Sequence, residues 1–452
     1  MRGRHAPQAR TALGLVTTRL LAAAILVISA LLAWLAISFS IVARALQAVI
    51  AVSLVYVAYL ALRGYQAMRD ARSIPLHDGS HRPWVTLVVA ARNEAPVISA
   101  TVASLLEQNY ADDHGPRFGV VVVDDGSSDG TGDLARAAGS PHPELVAVVR
   151  RGDADGPRTK AAALRFAEQD GRGEVIGVLD ADAHVAPDFV ARVMAAWQAD
   201  VGAAAIQAQR RARSVRGGWL AAAQDEELLL DMASQCGRRA LDGTAELRGN
   251  GMFVRRTALE AVGGWNPAAL TEDLDLSTRL VAAGERIALA PQAEVGEEAV
   301  VSLPALWRQR LRWAEGSLRR LMELGPGLLA SPRVRLGRKL DFLAFTTEFL
   351  IPPLFVTTVI ASLLTIPLSS AADWSVPFSL FAGYGLGSLL LALGALAAHE
   401  QRGLGLLGRA ARGALFLSHW LVIVPAALVR IATGRQATTF AQTVRIGQPP
   451  AP

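Results

Sequence analysis

Cysteine is almost absent from this chain. Cys236 stands alone in 452 residues, which excludes an intrachain disulfide framework and a cysteine-based zinc site. There is no internal period of the kind that marks a repeat protein, and no long low-complexity tract. Charge is missing in places: Leu20 to Ala43 contains no charged residue. Yet 19% of the chain is charged and 52% hydrophobic, with a mean hydropathy of +0.30. That is too apolar for an ordinary soluble protein and too charged for a purely membrane one. A hydrophilic domain inserted between hydrophobic ends satisfies both. In so apolar a chain, a net charge of +5 and a pI near 9.8 point to basic surface facing a membrane from the cytoplasm. They do not point to nucleic-acid binding.

Leu20–Ala43 is long enough to span a bilayer, which takes about 20 residues, and too long for a signal-peptide core. Ala45–Leu62 reads as a second span after Arg44. Arg2, Arg4 and Arg10 precede the pair, and Arg63, Arg69 and Arg72 follow it. The positive-inside rule puts both flanks in the cytoplasm. Residues 1–72 are therefore an N-terminal anchor, 73–330 a central domain, and 331–452 a C-terminal membrane domain with a tail. The last part holds Phe342–Leu368 (with Glu348 and Pro352-Pro353), the uncharged Trp374–Ala398, and Gly413–Val429 with His419. The loop near Asp373 is expected outside and the one with Arg402, Arg409 and Arg412 inside. Three crossings would leave Arg430, Arg435 and Arg445 outside, against the same rule, so two or three spans both stand.

Beyond the polar linker Ser73–Pro83, short apolar strands alternate with Ala/Leu-rich helices from Trp84 to about Ala330. This βαβ pattern predicts a mainly parallel sheet with helices on both faces. Strands are expected at Val85–Ala90, Gly119–Val123 and Glu174–Leu179, and helices at Pro96–Gln108 and Lys160–Gln169. Leu303–Leu321 interleaves Leu306, Trp307, Leu311 and Trp313 with Arg308, Arg310, Arg312, Arg319 and Arg320. It reads as an amphipathic interfacial helix with arginines toward anionic lipid.

Polar clusters terminate the strands. Arg92-Asn93-Glu94 ends the first, and Asp124-Asp125-Gly126-Ser127 the second. Asp180-Ala181-Asp182 ends the third, placing paired carboxylates at the carboxyl edge of the sheet, where open α/β sheets bind ligands. Two hard oxygen ligands suit Mg²⁺ or a similar cation shared with substrate phosphates. Thr271-Glu272-Asp273 reads as a helix start, with Thr271 as cap and acids in the first turn. An ionised Asp273 could act there as a general base toward an alcohol.

In order, these clusters resemble the family 2 glycosyltransferases, in particular their membrane-embedded branch. The resemblance is carried by Arg92-Asn93-Glu94, Val123–Ser127, Lys160–Leu164, Asp180-Ala181-Asp182, Gly263-Gly264-Trp265, Thr271-Glu272-Asp273 and Gln309-Arg310-Leu311-Arg312-Trp313. It covers roughly Val85 to Trp313 plus the hydrophobic flanks. It implies a Rossmann-like α/β GT-A domain, cytoplasmic, inserted between N- and C-terminal transmembrane helices of a multi-pass inner- or plasma-membrane protein. It implies that Asn93, Glu94, Asp124 and Asp125 line a nucleoside pocket, that Lys160 and Asp180 lie near the donor phosphates, and that Asp182 ligates Mg²⁺ or Mn²⁺. Asp273 would be the catalytic base. Thr271, Glu272, Gln309, Arg312 and Trp313 would hold the acceptor terminus and diphosphate. The tail Phe440–Arg445 faintly resembles a gating segment of processive members.

The expected reaction is inverting transfer, of hexosyl or N-acetylglucosaminyl type, from a nucleotide-sugar. A UDP-sugar is the expected donor, although UDP-GlcNAc, UDP-glucose and GDP-mannose are not separable from these residues. The first expectation is extension and secretion of a β-linked polysaccharide, with or without an accessory export subunit. The alternative is single transfer to a membrane lipid. A charge at the bilayer centre costs about 2.5–3.5 kcal/mol. Glu348 is therefore expected either at the cytoplasmic interface or along a polysaccharide exit path. Partners are the donor, a glycan or lipid acceptor and membrane lipids, with no nucleic acid.

Overall fold

The computed structural model describes residues 12–76, 82–168, 172–214, 217–365, 374–399 and 403–435. The Phe440–Arg445 tail, Asp373 and Arg402 lie outside the described residues.

Valine-rich runs form an eight-stranded sheet. Its strands are β1 (Val85–Ala91), β2 (Phe118–Asp124), β3 (Val146–Arg150), β4 (Val175–Asp180), β5 (His184–Val185), β6 (Ala205–Arg213), β7 (Met252–Arg255) and β8 (Ile287–Glu298). Their spatial order is β3-β2-β1-β4-β7-β6-β8-β5. The first four are parallel; β1, β2 and β4 are near-continuous buried apolar runs, as strands covered on both faces require. The register pairs Ala91 with Asp124 and Ala90 with Asp180. The polar ends of β1, β2 and β4 thus emerge side by side at one edge. The mainly parallel expectation breaks at β7, which is antiparallel to both β4 and β6. Its chain enters from the Arg248–Gly251 loop at the edge that β4 leaves, so it must run the opposite way.

The helices are α1 (Ala12–Ser38), α2 (Ser40–Arg72), α3 (Ile98–Leu106), α4 (Thr131–Gly139), α5 (Lys160–Ala167), α6 (Phe189–Ala199), α7 (Trp219–Ala240), α8 (Arg256–Ala261), α9 (Glu272–Ala282), α10 (Leu303–Ala330), α11 (Leu336–Thr346), α12 (Ile351–Thr365), α13 (Ser375–Ala398), α14 (Leu404–Leu417) and α15 (Trp420–Ala432). One face of the sheet is covered by α3 and α6 through Ile98, Val102, Phe189 and Val193. The other is covered by α5 and α9 through Leu164, Leu276 and Leu280.

Among the described residues, five helical segments are long and apolar enough to cross a membrane: Gly14–Ser38, Ser40–Arg72, Leu336–Thr365, Ser375–Ala398 and Leu404–Ala432. The first two divide at Phe39, in extended backbone, rather than at Arg44, which lies inside α2. Arg44 is the charged interruption of the apolar run, yet the helix continues through it and breaks at the apolar Phe39, so hydropathy alone does not mark the break. The third begins earlier than Phe342 and is interrupted by a 3-10 turn at Thr347–Phe349. The fifth is two helices joined at Ser418-His419.

The central domain is tied to this bundle by α7, which packs on α2, α13 and α14. Leu229, Leu230, Met232 and Ala233 join Met68, Ala392 and Leu396 in one core. The fully buried Glu226 of α7 pairs with Arg409 (2.9 Å) and Arg412 of α14. A buried charge persists only when so matched. The interfacial helix is longer than expected, running to Ala330 through Pro326. Its arginines do not line up toward lipid. Arg308 is exposed, but Arg310, Arg319 and Arg320 are buried. Arg310 pairs with Glu227, and Arg320 with Glu246 at 2.8 Å. Buried carboxylates on neighbouring elements drew these side chains inward, a pairing that helical periodicity does not reveal.

Candidate active site

The loops after β1 and β2 form one unit. Asn93 adopts left-handed backbone (φ 54°), which Asn tolerates better than most residues. Its N–H donates to Ser127 Oγ (3.0 Å), and its Oδ1 accepts from the Ser128 N–H (2.9 Å). The Glu94 N–H donates to Thr131 Oγ1 at 2.8 Å. Asp124 is fully buried beneath this turn, accepting from the Ser127 N–H at 2.8 Å. It is not among the residues lining the cavity, whereas Asn93, Glu94 and Asp125 are. Asp125 pairs with Arg151 at 2.5 Å. Burial pushes its carboxyl up, against the pull of Arg151, Arg158 and Arg92.

Thr159 caps α5 by accepting from the Ala162 N–H (3.2 Å), which sets Lys160 at the first helical position. Lys160 Nζ lies 2.5 Å from Asp180 and 3.2 Å from Glu272. Burial lowers its pKa, but Asp180, Glu272 and Asp273 outweigh burial and hold the ammonium above its ordinary range. Asp180 is the last residue of β4, its N–H donating to Asn250 Oδ1 at 3.1 Å. Asp182 Oδ2 accepts from the Glu298 N–H at 3.0 Å. Both carboxylates line the cavity. Among the described residues no group of three or more His, Cys, Asp or Glu is placed to hold a metal. Two carboxylates at a cavity wall instead suit a hard cation that completes its shell with phosphate oxygens and water.

Asp273 stands in the first turn of α9, its Oδ1 accepting from the Leu274 N–H at 2.8 Å. Burial, then the neighbouring Glu272 carboxylate, raise its pKa to about 7, against the Leu274 N–H, Lys160 and Arg248. That value suits a base working near neutrality. Gly249, at φ +79°, backs the group: a Cβ there would lie 3.3 Å from Asp273 Oδ2 and 3.7 Å from Lys160 Nζ. Thr271 holds the N-cap position, but its side chain makes no cap hydrogen bond. It packs on α10, where a Cβ at Gly316 would fall 2.2 Å from Thr271 Cγ2. That contact sets Gln309, Arg312 and Trp313 against the same cavity. The Trp313 ring is flanked by the guanidinium groups of Arg310 at 4.1 Å and Arg210 at 5.3 Å. Burial lowers the pKa of Arg312, opposed by Glu272, Asp180 and Asp273.

These groups meet in one cavity of about 830 Å³. It does not end at the sheet edge. Its walls continue to Ile50 and Leu54 of α2, Leu354 of α12, and Leu380 and Tyr384 of α13. The structure also brings in residues that the motifs do not contain: Arg158, Arg210, Arg248, Asp231 and Glu297. Arg210 and Glu297 pair in a fork at 2.7 and 2.8 Å. The one sequence signal for this group is the glycine-flanked Arg248-Gly249-Asn250-Gly251, a run that reads as a tight turn.

A mixed α/β sheet of this order, with acidic strand ends at one edge and apolar helices on both sides in sequence, is a Rossmann-like fold of GT-A type. The family described as "Glycosyltransferase like family 2" matches residues 81–316, and the chain belongs to it. A beta-monoglucosyldiacylglycerol synthase of Synechocystis sp. is 34% identical over 382 residues, spanning 83% of this chain and 76% of the relative. One from Nostoc sp. is 32% identical over 376 residues, spanning 81% and 77%. A poly-beta-1,6-N-acetyl-D-glucosamine synthase of Staphylococcus aureus is 26% identical over 233 residues, spanning 51% and 54%. A solved mannosyltransferase of Pyrobaculum calidifontis, in complex with GDP-mannose and Mn2+, covers 86% of this chain and 100% of its own, with TM-score 0.55 and 23% identity. That likeness is one of fold.

Proposed function

We propose that this enzyme transfers one glucosyl residue from UDP-glucose to the hydroxyl of diacylglycerol, with inversion, at the cytoplasmic face of a membrane. The carrying observation is the continuity of the cavity, from Asp180, Asp182 and Asp273 to the apolar walls of α2, α12 and α13. A lipid headgroup can reach the base there while its chains stay in an apolar surround. The glucosyldiacylglycerol synthases, similar over most of their length, support this alternative over the polysaccharide reading. The poly-N-acetylglucosamine synthase is similar over only half. Single transfer to a lipid needs no export subunit.

In this reading Asn93, Glu94 and Asp125 hold the nucleoside, while Lys160 and Arg158 face the diphosphate. A divalent cation held by Asp180 and Asp182 would screen charge on the departing diphosphate. Asp273 takes the proton of the attacking hydroxyl, a contribution of about 10²–10⁴ in rate. Arg312 offers a planar donor to phosphate, and Trp313 an apolar platform for the sugar ring.

The test is incubation of the protein in diacylglycerol-containing nanodiscs with radiolabelled UDP-glucose, UDP-GlcNAc or GDP-mannose, with Asp273→Asn as control. Label from UDP-glucose entering the organic phase, dependent on diacylglycerol, is the expected result. Long water-soluble chains from any donor would return the assignment to polymer synthesis.

A further inference from the structure

Beyond Asp273 the cavity wall carries polar groups that the reaction above does not use, among them Asp231, Glu246, Arg248 and Arg320. Arg248 stands in the loop before β7, next to Gly249, which backs the Asp273 carboxylate. It is also one of the charges that act on Asp273. On its other side it is bonded to α7, the helix that packs on α2, α13 and α14. Its Nε and Nη2 donate to Asp231 at 3.0 and 2.8 Å, and its Nη1 to Glu246 at 2.7 Å. A guanidinium has five N–H donors, so one hydrogen on each terminal nitrogen is left over.

Arg320 continues the cavity face of α10 beyond Gln309, Arg312, Trp313 and Ser317, at helical spacing. Its Nη1 donates to Glu246 at 2.8 Å and to Thr278 at 3.3 Å. Its Nε and Nη2 are buried and have no hydrogen-bond partner among the described residues. Charge on this wall is matched: Arg248 faces Asp231, Arg320 faces Glu246, and Arg238 faces Asp341. Hydrogen-bonding capacity is not. Buried donors left unpaired are costly, and these call for oxygen acceptors that arrive with the substrate.

We propose that Arg248 and Arg320, held in place by Glu246, bind the ester carbonyl oxygens of the acceptor lipid and so aim its free hydroxyl at Asp273. This rests on the lipid-transfer reading above. In a diacylglycerol one ester is attached to the carbon next to the one that bears the hydroxyl. A donor beside the base therefore reaches that carbonyl while the hydroxyl meets the base. The hydroxyl keeps its single proton for Asp273, and the orienting contacts fall on oxygens that take no part in the transfer. Fixing the nucleophile in this way lowers the barrier by orientation alone. A phosphate oxygen would accept from the same donors, so the experiment separates the two.

The experiment gives the full chain, in vesicles, two acceptors of equal chain length. One is a diacylglycerol and the other the matching dialkylglycerol, in which ether links replace the esters. Labelled UDP-glucose is the donor, and lipid products are counted for each. Wild type is expected to show a kcat/KM at least tenfold higher for the ester lipid, because the ether lacks the carbonyl end of a charge-assisted hydrogen bond. KM for UDP-glucose should be the same with either lipid. Arg248→Lys keeps a positive charge beside Asp231, Glu246 and Asp273 but removes the fork, and should bring the ester-to-ether ratio to within about threefold of one. Arg320→Met, which keeps the apolar stem, should lower the ratio in the same direction. General damage to the fold does not move this ratio, since both lipids meet the same protein. Equal use of the two lipids by wild type, or a ratio unmoved in both variants, would overturn the proposal and leave lipid transfer intact. Dihexadecyl phosphate, which carries a phosphate and no ester, is added as a competitor. Inhibition of wild type that Arg320→Met relieves would assign the site to phosphate and overturn the proposal as well. A water-soluble polymer, or no lipid product from either glyceride, would overturn the lipid-transfer reading together with this one.

Discussion

Asp273 carries the sharpest residue-scale consequence. Its carboxyl titrates near 7 in the folded protein, against about 3.9 for a free aspartate. The folded state therefore binds this proton more tightly than the unfolded state. The group stabilises the fold at low pH and loses that contribution as pH rises from about 4 to 7. Asp273→Asn should raise the melting temperature, by more at pH 8 than at pH 5, in a thermal-shift series on detergent-held protein. The same substitution should lower turnover by about 10²–10⁴. In the wild type, kcat/KM should fall about tenfold per pH unit below roughly 7, as a single essential base is protonated. A rate flat from pH 5 to 8 would remove Asp273 from the role of base. The aspartate itself was legible in the sequence, because an acid in the first turn of an Ala/Leu-rich helix is a pattern. Its environment was not: Gly249 and Arg248 reach it from a loop more than 20 residues away in the chain. Asp124 shows the reverse. Its place in a strand-end motif suggested a cavity residue, yet the turn that buries it depends on side chains of Ser127 and Thr131, which motif spacing does not describe.

At the scale of elements, the site depends on how α10 meets α9. The near contact between Gly316 and Thr271 admits no side chain at position 316. Gly316→Val should push the helices apart and displace Arg312 and Trp313. The expected result is loss of at least 90% of transfer with membrane insertion and donor affinity retained, checked by flotation and by UDP binding. A variant of normal activity would show that this helix crossing does not position the site. The parallel strands were legible because strands buried on both faces are continuous apolar runs. The antiparallel β7 was not, since a four-residue strand has no period to read. The arginines of α10 looked like a lipid-facing stripe because amphipathicity records only which residues are polar. Whether Glu227 and Glu246 wait on the other side is a tertiary fact.

For the whole molecule, the important feature is one cavity shared by the α/β sheet and the bundle of apolar helices. Filling its apolar part should separate acceptor from donor. Gly387 lines the cavity between α2 and α13, with Val57 and Leu54 at ordinary contact distance of an added Cβ. Gly387→Phe should raise KM for diacylglycerol severalfold while leaving acceptor-independent UDP release unchanged, since the nucleotide end is built on other elements. Equal loss of both would mean that the bundle supports the fold and not the acceptor. The presence of hydrophobic segments at both ends was plain from composition. That they complete the catalytic cavity was not, because hydropathy reports length and apolarity but not which helix faces enclose a space.

The most direct measurement is the anomeric configuration and sugar count of the purified product, by proton NMR and mass spectrometry, after reaction of nanodisc-held enzyme with UDP-glucose and diacylglycerol. The account predicts one glucose per lipid in β configuration, from a single displacement on an α-linked donor with Asp273 as base. An α-glucoside would contradict that displacement, and a chain of many sugars would contradict the lipid acceptor.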